Sequence, residues 1–172
     1  MKKRIHLALL SLVLVFAATG CGDKKEEEKT VSVQEDLVEF VNDELPAIET
    51  YRSTAVNSYN AYFVSEDVDT AVFLSDLQST MIPNMETYIT ELTAVEVATE
   101  DVAALKDLYL QAAEKQCEAM RQVATAISEQ DPQYLEQADT LIEEAQSLIT
   151  QYESQLKILA IDNDVQINGS FE

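Results

Sequence analysis

Apolar residues recur at steps of three and four along four separate stretches of this chain, and that spacing constrains the fold more than any other feature. Positions three and four apart share one face of an α-helix, so each stretch reads as a helix with one side to bury. The first row is Val38, Val41, Leu45, Ile48, Arg52, Ala55, Tyr59 and Tyr62, on a helix expected from about Val33 to Val64. The second is Leu74, Leu77, Met81, Met85, Tyr88, Leu92 and Val95, on a helix over about Asp67 to Val97. The third is Val102, Leu105, Tyr109, Ala112, Gln116, Met120, Val123 and Ile127, over about Glu100 to Glu129. The fourth is Leu135, Ala138, Ile142, Ala145, Ile149, Tyr152, Leu156 and Leu159, on a helix that ends near Ile161.

Cap residues sit where these rows begin. Asp67 or Asp69 precedes the second, and Thr99 precedes the third with Glu100-Asp101 facing the positive end of its dipole. Asp131-Pro132 opens the fourth as cap plus first-turn proline. Pro46 and Pro83 fall inside rows one and two, and each predicts a bend, the first row staying in phase across its proline. Only 3 Gly and 3 Pro occur in 172 residues, too few turn formers for a sandwich or barrel of many short strands. The expected fold class is all-α: a four-helix up-down-up-down antiparallel bundle of helices about 45 Å long with short connections. Two less symmetric helical hairpins, or a bundle completed by a second chain, are the alternative.

The N-terminus reads as an address. Lys2-Lys3-Arg4 precedes a nearly uninterrupted apolar run from Leu7 to Ala18, too short to span a bilayer, and the run ends in Ala18-Thr19-Gly20-Cys21. These residues resemble the lipobox of bacterial lipoprotein signal peptides, with Ala18 where Leu is more usual. The resemblance covers residues 1–21 only. It implies cleavage before Cys21, a diacylglyceryl group on its thiol, often a further acyl chain such as palmitate, and a place on the extracytoplasmic side of the bacterial cell membrane. The domain plan is therefore a signal over 1–20, a lipidated Cys21 with a charged flexible tether over 21–32, a bundle over 33–162, and an extended or frayed tail over 163–172.

Charge narrows the partners. The formal net charge is −21, from 11 basic and 32 acidic residues. Loss of residues 1–20 removes Lys2, Lys3, Arg4 and the one histidine, His6, but no acidic residue, so the side-chain charge of the mature chain falls to −24. Nucleic acid and anionic headgroups are excluded as partners of so acidic a surface, whereas a basic extracytoplasmic protein fits it.

The missing histidine excludes Ser-His-Asp and Cys-His nucleophiles, His-ligated zinc or haem, and the Glu-x-x-His pairs of ferritin-like sites. No catalytic residue, metal site or cofactor is expected. Acidic clusters such as Glu143-Glu144 and Asp162-Asn163-Asp164 read as solvated faces, the last lacking the Gly and Glu of a calcium loop. Cys117 reads as a small residue flanking a helix interface.

The candidate ligand or interaction residues are Arg52, Tyr59, Tyr62, Tyr109 and Gln116, polar or aromatic members of the core rows. One reading places them around an internal cavity for a small amphipathic ligand or a cation. The other fills the core with their rings, and rotates helix one so that Tyr51 points inward while Arg52 reaches out at the edge. The expected function is a membrane-anchored, non-enzymatic protein-interaction module, with the small-ligand or cation-binding lipoprotein as the alternative.

Overall fold

The computed structural model describes residues 31–63 and 67–167, apart from the side chain of Phe63. The expected signal peptide, Cys21, most of the expected tether and the last five residues lie outside the described residues. Among the described residues the regular structure is all helical, in four packed helices. Helix one comprises α1 (Val33–Val38), a π-helical turn π1 (Glu39–Glu44) and α2 (Leu45–Phe63). Helix two comprises α3 (Thr70–Asp76), a second π turn π2 (Leu77–Met81) and α4 (Ile82–Ala94). Helices three and four are α5 (Glu100–Glu129) and α6 (Gln133–Asp162).

The starts follow from local chemistry. Ser32 and Glu35 form a reciprocal capping box on α1. Asp69 Oδ1 accepts from the amides of Ala71 and Val72, so of the two expected caps it is Asp69 that serves. Asp131 Oδ1 accepts from the amide of Gln133, which begins α6. With so few glycines, the chain ends its last two helices on side-chain-bearing residues in the left-handed region. Gln130 (φ 55°) closes α5 and Asp164 (φ 53°) follows α6. The amides of Asp131 and Val165 then reach back to the carbonyls of Ala126 and Ala160.

Both helical prolines sit just after a π turn. Proline has no amide hydrogen, and its ring crowds the carbonyl four residues back. The residue before each proline instead bonds five residues back, Leu45 to the carbonyl of Phe40 and Ile82 to that of Leu77. Each π turn carries one extra residue, which rotates everything upstream by roughly 100° relative to a regular helix.

That rotation corrects the expectation that row one stays in phase across Pro46. Val38 is exposed, whereas Leu37 and Phe40 are fully buried with Val41. In helix two it brings Phe73 inward with Leu77, Met81 and Met85. Rows three and four keep their phase, but Leu135 and Ile142, expected in the core, are exposed. α5 and α6 make the broadest helix–helix contact, their buried faces carrying alanines such as Ala112, Ala119, Ala138 and Ala145.

One buried carboxylate ties the helices together. Asp36 on α1, 4% exposed, accepts from the amides of Ala98 (2.9 Å) and Thr99 (2.8 Å) and from the Thr99 hydroxyl (2.5 Å). Thr99 Oγ1 in turn accepts from the amide of Val102, so one residue caps α5 and anchors α1. Val165 to Ile167 follow α6 outside regular structure; Val165 and Ile167 pack on the core, and the carbonyl of Gln166 accepts from Asn42.

Candidate functional site

Four helices converge on a polar aromatic cluster at mid-length. α2 supplies Glu49 and Arg52, one turn apart; α4 supplies Tyr88, α5 Tyr109 and α6 Tyr152. Arg52 Nη1 donates to Glu49 Oε1 at 3.2 Å, and its guanidinium carbon lies 5.4 Å from the centre of the Tyr109 ring. The Tyr109 hydroxyl points at Glu49 Oε2 from 3.5 Å. Tyr152 stacks on Tyr109 with centres 4.5 Å apart, and Tyr88 meets it edge-on at 6.2 Å.

The core side of helix one therefore carries Arg52, half-buried, and leaves Tyr51 exposed, so the rotated alternative is corrected. Burial opposes the Arg52 charge, but Tyr109 and Glu49 outweigh it and hold the cation above its usual range. Burial drives the phenols of Tyr88, Tyr152 and Tyr109 upward. The Tyr88 hydroxyl is buried, completes no well-aligned hydrogen bond among the described residues, and interacts with the hydroxyl of Tyr109. In such surroundings Arg52 would recognise a carboxylate or other anion, and that place is taken by Glu49.

Tyr59 and Tyr62 belong to a second cluster. Both pack on Phe73, Tyr62 stacked at 4.3 Å and Tyr59 tilted at 6.0 Å. The Tyr62 hydroxyl donates to Asp76. The Tyr59 phenol is pushed up to about 12, by burial first and by the charge of Asp139 second. The sequence-based set thus divides: Arg52 and Tyr109 meet, and Tyr59 and Tyr62 meet around Phe73. Gln116 stands on α5 with a buried Oε1 that no described group bonds. Sequence reasoning missed Glu49, whose signal was its place one turn before Arg52.

Cys117 is buried, and burial raises its thiol above the usual range despite the nearby Arg121 cation, which makes it a packing residue rather than a nucleophile. No group of three or more His, Cys, Asp or Glu among the described residues is placed to hold a metal ion. No helix among the described residues is long and apolar enough to cross a membrane.

The surface is shaped by how the few cations are used. Arg52 pairs with Glu49, Lys115 Nζ with Glu144 at 2.6 Å, and Arg121 with both Glu86 and Glu118. Lys106 Nζ donates to the carbonyls of Thr93 and Val95 and so caps the end of α4. Four of the five basic residues after position 32 are engaged within the fold, which leaves an outer face dominated by carboxylates. Among them, Glu35, Glu39, Asp43 and Glu44 line an open groove of about 530 Å³. No protein-family model, no curated protein and no solved structure matches the chain.

Proposed function

We propose that this protein is a lipid-anchored extracytoplasmic interaction module of a bacterial cell membrane, without catalytic activity. Cys21 carries the diacylglyceryl anchor, residues 22–32 tether it, and the helices form an up-down-up-down bundle that presents an acidic face to a basic protein. The observation that carries the reading is the use of the cations: Arg52, Lys106, Lys115 and Arg121 are engaged within the fold, so the carboxylates dominate what a partner meets.

Three contacts support the bundle topology. Asp36 near the start of helix one reaches Ala98 and Thr99, in the connection from helix two to helix three, and Tyr62 near the end of helix one reaches Asp76 near the start of helix two. Asn42 reaches the tail that follows helix four.

The test is crosslinking of the full chain in intact cells, followed by purification under denaturing conditions. The reading expects one or a few extracytoplasmic proteins with basic surfaces, whose crosslinks decline as salt rises. Crosslinks to acidic or cytoplasmic proteins alone, or none at low salt, would contradict it. The buried Gln116 Oε1, which no described group bonds, favours a second reading, a small polar ligand inside the bundle. Calorimetry with calcium and candidate metabolites separates the two, since a ligand that binds and raises the melting temperature would support the second.

A further inference from the structure

We propose that the start of α6 is a docking seam for a basic amphipathic helix of a partner protein, with Leu135 and Ile142 as its apolar floor and Glu136, Asp139 and Glu143 as its margins. The proposal rests on the interaction-module reading above and names the face and the partner's chemistry.

Row four runs Leu135, Ala138, Ile142, Ala145, Ile149, Tyr152 and Leu156, at steps that put all seven along one seam of the helix. The chain covers that seam unevenly. Ala138, Ala145, Tyr152 and Leu156 are buried and Ile149 is partly buried, while Ile142 is 39% exposed and Leu135 43%. Along the edge of the seam that carries Leu135, Ile142, Ile149 and Leu156, cover is lost toward the start of α6, while Ala138 and Ala145 on the other edge stay buried. Two large aliphatic side chains seven residues apart are the anchors that an added helix reads.

More exposed aliphatics exist, but they do not continue the core. Ile158 (55%) and Ile161 (66%) lie off the row, on another face of α6, beside Lys157 and Asp162. A helix laid on Leu135 and Ile142 would extend the bundle's own packing; one laid on Ile158 and Ile161 would not.

Charge chooses the occupant. From Gln133 to Leu156, α6 has no Lys or Arg, and Glu136, Asp139 and Glu143 are all exposed along the outer flank of the two aliphatics. A second copy of this chain would bring the same carboxylates against them, and like charges across a contact are costly. A helix with apolar residues every three or four positions, flanked by Lys or Arg, satisfies floor and margins together.

The test uses the full chain in zwitterionic lipid nanodiscs, with empty discs as baseline. The probe is a fluorescent synthetic helix with Leu at the core positions of its heptads and Lys elsewhere, and the control peptide has Glu in place of Lys. Saturable binding of the Lys peptide is expected, weakening as salt rises. Leu135→Ser and Ile142→Ser should each weaken it by about tenfold at an unchanged melting temperature, a loss in keeping with the apolar area they remove. Ile161→Ser should leave it unaltered, and joint Glu136→Gln and Glu143→Gln should weaken it at low salt. Equal binding by Ile142→Ser would overturn this face while sparing the acidic-module reading. No binding of the Lys peptide at any ionic strength would overturn both. Equal binding of the Glu peptide, or a dimer of this chain closed through Ile142, would overturn the partner's chemistry.

Discussion

Asp36→Ala removes one side chain and leaves three donors without their acceptor. The amides of Ala98 and Thr99 and the Thr99 hydroxyl all point at that carboxylate, 2.5 to 2.9 Å away. A donor left unbonded costs about 1–3 kcal/mol, and the low end applies here because Ala98 is exposed and water reaches it. Counting about 1 kcal/mol for each donor gives a destabilisation of about 3 kcal/mol. A domain of roughly 130 residues unfolds with an entropy near 0.3 kcal/mol/K, so the melting temperature should fall by about 10 °C. The assay is a circular-dichroism melt of the full chain beside Glu39→Ala, an exposed neighbour whose loss should be nearly neutral. Asp36→Asn keeps one acceptor oxygen and should lose about half as much. A fall of less than about 2 °C in Asp36→Ala, smaller than one lost hydrogen bond, would refute the reasoning that this clamp holds α1 against the start of α5.

Other outcomes follow from the same geometry. Tyr152→Ala should cost about 3–4 kcal/mol by leaving a cavity beside Tyr109, whereas Arg52→Leu should cost less than about 1.5 kcal/mol because Glu49 rehydrates; chemical denaturation that ranks Arg52 above Tyr152 would contradict a core held by rings. Gln130→Gly should stabilise by about 1 kcal/mol, since Gly occupies the left-handed cap without a Cβ clash; an unchanged midpoint in urea would count against that cap. Alkali should unfold the protein cooperatively. The Tyr59 phenol stands at about 12 in the fold against an ordinary 10.0, so the folded state holds the proton longer and stability falls as pH rises from 10.0 toward 12. Most of the phenolate absorbance should therefore rise together with loss of helicity, and a full rise from all seven tyrosines well ahead of unfolding would contradict the burial of Tyr59, Tyr88 and Tyr152.

Helix existence and most boundaries were legible because period and caps agree at the ends of elements. Thr99 and Asp131 mark their helices within two residues of where they begin. The π turns were harder. Val38 and Leu37 both have apolar neighbours at helical steps, so the pattern around Pro46 admits two phases. In helix two the four-residue steps from Phe73 through Leu77, Met81 and Met85 carry the signal, because four residues per turn is wider than a regular helix. The exposure of Leu135 and Ile142 could not be read at all: a stripe says which face a helix would bury, and the neighbouring helices decide how far cover extends. The Arg52 cluster was legible only in part. Glu49 follows from local spacing, while the meeting of Tyr88, Tyr109 and Tyr152 depends on the relative register of three helices.

The central claim, a bundle held outside the cell membrane by lipid on Cys21, is tested most directly by metabolic labelling with a radioactive fatty acid, followed by protease treatment of intact cells or spheroplasts. The account expects label on the wild-type chain, none on Cys21→Ala, and digestion of the labelled protein by protease added from outside. Equal labelling of Cys21→Ala, or a labelled chain that resists external protease until the cells are lysed, would contradict it.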